Sequence, residues 1–185
     1  MNPTRALRIS GIAILAPYAL VRLGRVDYWD ILDDVDLAIH EAGHLVFNPF
    51  GDHMSFLGGS LLQILVPLAF VAYFWKTRQR FGGGITMAWV AVNLVNVSRY
   101  IGDARGQDLP LLGGENVIHD WWYLLTEWDL LPHDHDIARV VHLLGACVFA
   151  AAIVVAWFAE RADERERRMA VPHAPIAVPT AAPRR

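Results

Sequence analysis

The sequence predicts an all-α fold, a polytopic membrane helix bundle of about four transmembrane helices plus one interfacial or re-entrant helix that carries the run His40-Glu41-Ala42-Gly43-His44. Three observations predict it. Of the 185 residues, 55% are hydrophobic and seven are Trp, which is richer than a water-soluble domain of this size needs. The charged residues are bunched between apolar stretches rather than scattered through them. Four of those stretches approach the ~20 residues that a helix rising about 1.5 Å per residue needs to cross a hydrocarbon core of roughly 30 Å.

The four stretches run from Leu7 to Leu23, Met54 to Trp75, Gly84 to Ile101 and Ile137 to Phe158. They lack the polar faces that a soluble all-helical core would present to water, so the bilayer is their expected partner. Arg5 and Arg8 precede the first stretch, as in a signal peptide. No small-x-small cleavage site follows, Ala16-Pro17-Tyr18-Ala19 being the nearest, and Arg22 and Arg25 come next; the stretch reads as an uncleaved anchor. The single Cys147 lies within the last span and cannot form an intrachain disulfide.

Charge sorts the connections. Lys76, Arg78 and Arg80 follow the second span without an acid, and Arg161, Arg165, Arg167 and Arg168 follow the fourth. Residues 24–55 set Arg25 against seven acids, and residues 104–135 set Arg105 against six. Basic loops stay in the cytoplasm, so both termini are expected inside and both acidic segments outside, in a plasma (inner) membrane. This requires residues 26–50 to remain outside. Asp27, Asp30, Asp33, Asp34 and Asp36 make that segment a poor span, each acid costing about 2.5–3.5 kcal/mol at the bilayer centre. Residues 1–160 read as an integral membrane metalloprotein domain and residues 161–185 as a cytoplasmic tail, disordered by its Pro/Ala/Arg composition. There is no internal repeat, phosphate-binding glycine loop or nucleic-acid signature.

Residues four apart share a helix face, so His40 and His44 can aim two imidazoles at one ion with Glu41 beside it. Zinc hydrolases use this spacing: the ion acidifies a water towards a pKa of about 7 and the Glu takes its proton. Zn2+ is therefore the expected cofactor and Glu41 the expected base. Ala42 and Gly43 are small enough to admit a neighbouring helix, and Asp33 and Asp36 continue the face as candidate acceptors for the ring N–H groups.

A catalytic zinc normally takes three protein ligands, so a third must come from elsewhere on the same side of the membrane. Asp103, at the end of the third span, and His119, in the following loop, both qualify, with Asp120 a further supporting or ligating group. The cluster His133-Asp134-His135-Asp136 directly precedes the last span and reads as its cap and polar boundary. His142 lies two turns inside that span, where an imidazole needs a partner.

His40, Glu41 and His44 resemble the motif of the site-2 protease-like family of polytopic membrane metallopeptidases, which carry His-Glu-x-x-His in a membrane helix and a distant Asp as third ligand. Phe56-Leu57-Gly58-Gly59-Ser60 is similar to a region such proteins use for close helix packing. The resemblance implies zinc held by His40, His44 and Asp103, and hydrolysis of a membrane or near-membrane peptide with Glu41 as base. Two other functions fit the surplus of His and Asp: metal handling without catalysis, and a membrane oxidoreductase with two ions. Glu41 discriminates the first, because metal retention does not need it; iron content discriminates the second.

Overall fold

The computed structural model describes residues 3–25, 28–110, 112 and 117–170. Six helices and two short 3₁₀ turns account for its regular structure, with no strand among the described residues: α1 (Pro3–Gly24), α2 (Ile31–Phe47), α3 (Asp52–Lys76), α4 (Arg80–Gly102), α5 (Asp120–Glu127) and α6 (Asp134–Ala170). Helices α1, α3, α4 and the first part of α6 are long and apolar enough to cross a membrane, and they contain the four predicted stretches. The motif helix α2 stands apart from them, as expected, at 17 residues.

Helix α4 is the centre of the bundle. Two thirds of its apolar window is buried inside the protein, against 17–28% in the other three, whose apolar side chains face outward. Its small residues explain this position. A methyl group on Gly84 would meet the Ala156 backbone at 2.8 Å, and Gly145 of α6 sits against Val95, Leu94 and the Ala91 carbonyl. Without a hydrophobic drive between helices in lipid, such close seams supply the packing energy. Ala88, Ala91, Val92 and Val95 form the core there with Ala19, Phe149 and Ala152.

Helix α1 runs antiparallel to α6, tied at one end by Arg5–Glu164 (2.6 Å) and Arg8–Glu160 (3.1 Å). At the other end Arg22, fully buried, forks onto both Asp33 oxygens at 2.6 Å, and Asn96 of α4 shares the cluster. Arg99 closes the connection by donating to the Arg22, Arg25 and Tyr28 carbonyls. The acids that made residues 26–50 a poor span are thereby partly neutralised. Asp27 lies outside the described residues.

Helix α2 begins in a reciprocal cap: Asp30 accepts from Leu32 N, and Asp33 accepts from Asp30 N. It ends at Asn48-Pro49, and Gly51, at φ +96°, turns the chain back into α3. The resulting hairpin closes tightly, since a methyl group on Gly43 would lie 2.2 Å from the Gly58 carbonyl oxygen. The expected close packing at Gly43 and at Gly58-Gly59 is thus one and the same contact.

Helix α6 continues to Ala170, through the first ten residues of the segment expected as a disordered tail. The Arg5–Glu164 pair lies on this extension. Residues 171–185 of that tail lie outside the described residues.

Candidate metal centre

His40 and His44 sit where α2 packs on the first turns of α3, at the end of the bundle where α4 finishes and α6 begins. Their rings are one helical turn apart, with centroids 4.9 Å apart. The His44 Nδ1–H donates to the Ser55 carbonyl at 2.8 Å, and the His40 Nδ1–H donates to Gln63 Oε1 at 3.1 Å. A carbonyl oxygen accepts and cannot donate, so these partners anchor each ring at Nδ1 and turn each Nε2 towards the cleft.

Both Nε2 atoms face the same atom. Asp120 Oδ2 lies 3.0 Å from His40 Nε2 and 3.3 Å from His44 Nε2. One ligand atom from each of the three residues falls within 4.8 Å of the others, the only such group among the described residues. Three electron-rich atoms converge this closely only around positive charge, whether protons on the imidazoles or a metal ion. The electrostatics agree. The Asp120 hydrogen bond raises the His44 pKa against the opposing effect of burial; burial alone would raise Asp120, but the hydrogen bonds from the two histidines outweigh it and hold its carboxyl below the usual range.

The donor set fits zinc. Two imidazole nitrogens and one carboxylate oxygen make three protein ligands, the number that leaves a position for water, and their chemistry suits a borderline-soft ion. The rings are also held by acceptors on their far nitrogens, as ligating histidines are.

The third member is Asp120, which the sequence offered as a supporting or ligating group behind the two leading candidates. Asp103 and His119 lie close by but face each other, His119 Nε2 being 3.3 Å from Asp103 Oδ2. His119 is fully buried and caps α5, its Nδ1 accepting from Trp122 N at 3.2 Å; burial lowers its pKa. Asp103 also accepts from Asp108 N and Leu109 N. The pair therefore sets the start of α5, and the first residue of that helix is Asp120. Trp121 pins the same turn to α3 through Ser60 Oγ at 3.0 Å.

Asp33 and Asp36, expected as ring acceptors, take other partners. Asp33 serves Arg22 and Asn96, and Asp36 accepts from Trp89 Nε1 at 2.7 Å. Ser55 and Gln63 do the work instead. Gln63 could have been suspected, as a polar side chain inside an apolar span needs a purpose; the Ser55 backbone carbonyl left no signal. The remaining polar groups are dispersed: His53 beside Glu127, His133 beside Asp136, Asp134 bound by Arg105, and His142 against Ser98.

A cleft of about 360 Å³ opens over the three residues. Glu41, half-buried, shares its wall with Phe56, Tyr100 and Ile118. The site thus combines three converging donor groups that could hold a metal, a carboxylate on the same cleft wall and a cavity of the size small-substrate sites occupy. No protein-family model, curated protein or solved structure matches this chain at a significant level.

Proposed function

We propose that this chain is a membrane-embedded, zinc-dependent hydrolase, most simply a peptidase of the site-2 protease-like kind acting on a membrane or near-membrane peptide. One observation carries the reading: two imidazoles anchored at Nδ1 direct both Nε2 atoms at one Asp120 oxygen, with Glu41 on the wall of the same cleft. Metal storage needs the three ligands but has no use for Glu41.

His40, His44 and Asp120 would hold the ion, whose contribution is to acidify a water and to draw electron density from the substrate carbonyl. Glu41 takes the proton of the attacking water and returns it to the leaving amine. The apolar walls lower the local dielectric and strengthen each of these interactions. The dispersal of the other histidines supports a single site: the surplus that favoured metal handling or a two-ion oxidoreductase gathers no second ligand group among the described residues.

For topology, the basic connection at Lys76–Arg80 and the run after Glu160 favour both termini in the cytoplasm, which puts the cleft towards the outer face. The deciding variant is Glu41→Gln, which keeps size and shape. It should retain metal and fold while losing about 10² to 10⁴ in rate, seen in cells as an uncut membrane polypeptide. Intact cellular function in Glu41→Gln, with loss in His40→Ala, would contradict hydrolysis.

A further inference from the structure

We propose that the Tyr100 phenol is the hydrogen-bond donor to the oxyanion formed during this hydrolysis, an assignment that rests on the hydrolase reading above. Acyl hydrolysis needs such a donor. As the water oxygen bonds to the carbonyl carbon, the C=O π pair moves onto oxygen and Glu41 receives the water proton. When that pair returns, the C–N bond breaks and the proton passes to the leaving nitrogen. Charge on the oxygen exists only between these events, so a fixed donor there accelerates both.

Among the described residues the cleft offers few candidates. His40, His44 and Asp120 are the ligands, Glu41 is the base, and Phe56 and Ile118 are apolar. Of the hydroxyls, Ser55 Oγ donates to the His44 carbonyl at 3.4 Å, one helix over, and its backbone carbonyl is taken by the same histidine. Tyr100 remains. Its ring packs edge-on to His40, with centroids 5.7 Å apart, and against His119 at 4.2 Å. Its oxygen accepts from Asp120 N at 3.2 Å, which fixes the acceptor side and leaves the O–H to donate. The Asp120 carboxylate also shares a hydrogen bond with the phenol. A cation held by that carboxylate would draw on the same oxygen charge, weaken this bond and leave the phenol proton for a second oxygen in the cleft. Tyr100 thus lines the same cleft from α4 that Glu41 lines from α2.

The test uses full-length protein in dodecylmaltoside, loaded with Co2+ and titrated with acetohydroxamate, whose oxygens occupy the places of the attacking water and the oxyanion. The visible bands of the ion report binding without any substrate. Tyr100→Phe should keep one cobalt and unchanged bands, yet bind acetohydroxamate about 10- to 100-fold more weakly. Unchanged affinity overturns the assignment. So does loss of cobalt, which makes Tyr100 a strut for Asp120. As a second probe that keeps both ring and hydroxyl, 3,5-difluorotyrosine introduced at Tyr100 should lose acetohydroxamate binding at lower pH, because fluorine acidifies the phenol and a phenolate cannot donate. An unshifted limit also overturns it. Failure of the underlying metal-site reading has a distinct signature, namely cobalt uptake that is the same in wild type and His40→Ala, and it removes both proposals.

Discussion

The His40 imidazole occupies the space that a side chain on Gly59 would fill: a methyl group there would lie 2.5 Å from His40 Nε2. The absence of a Cβ on α3 is what lets His40 Nε2 stand between two helices already in contact at Gly43 and Gly58. Gly59→Ala should therefore displace the ring and weaken metal binding by at least about 10-fold, with the helical content kept. Gly43→Ala strikes backbone rather than a side chain, so it should lower the melting temperature in detergent as well. Metal titration together with thermal melts separates the two effects.

Asp103 and His119 should prove to be supports and not ligands. Their contact fixes the cap of α5, so His119→Asn, which preserves a capping side chain, should retain stoichiometric metal with an affinity loss within about 10- to 100-fold. Asp120→Ala should lose the ion. Equilibrium dialysis of the two variants against zinc shows the difference, and the reverse order of losses would make His119 the ligand.

The buried Arg22–Asp33 fork ties α1 to α2. Removing one partner leaves an uncompensated charge among helix ends, so Arg22→Met should destabilise the protein by about 3–5 kcal/mol. Adding Asp33→Asn should recover part of that loss. A double variant that melts lower than Arg22→Met by the full cost of Asp33→Asn alone would show that the pair is not coupled.

Asp36 gives the fold a pH dependence. Burial pushes its carboxyl from 3.8 up to about 6, and its Oδ2 has no hydrogen-bond partner. The folded state therefore holds this proton more tightly than the unfolded chain. The associated stability is full below about pH 4 and is lost as pH rises through about 6, a change of roughly 3 kcal/mol. Asp36→Asn cannot ionise. Relative to wild type it should gain stability as pH rises from 4 to 7, as read from paired melts; a constant difference across that range would contradict a raised pKa.

The helices were legible because hydropathy and length measure the same quantity that the bilayer does, and the facing pair His40 and His44 was legible because i, i+4 spacing is local geometry. The order of the acids was not: Asp120, offered behind Asp103 and His119, is the residue that meets the pair. Asp103 and His119 are in contact and Asp120 follows His119 in the chain, so which of them faces His40 depends on the direction in which α5 leaves its cap, settled by Trp121 on Ser60 and His119 on Asp103. Asp33 and Asp36 teach the same lesson along one helix. Periodicity put them on the ligand face, but α2 meets α3 at its second half and α1 and α4 at its first, so one face serves two neighbourhoods. The helical extension of α6 was hidden because its charged surface resembles a tail until Arg5 is seen against it.

Elemental analysis of detergent-purified protein tests the metal centre most directly, comparing wild type, Glu41→Gln, and the variants His40→Ala, His44→Ala and Asp120→Ala. About one zinc per chain is expected in wild type and in Glu41→Gln, and less than about a tenth of that in each ligand variant. Stoichiometric zinc persisting in a combined His40→Ala, His44→Ala protein, or none in wild type purified with zinc present, would contradict a metal centre at His40, His44 and Asp120.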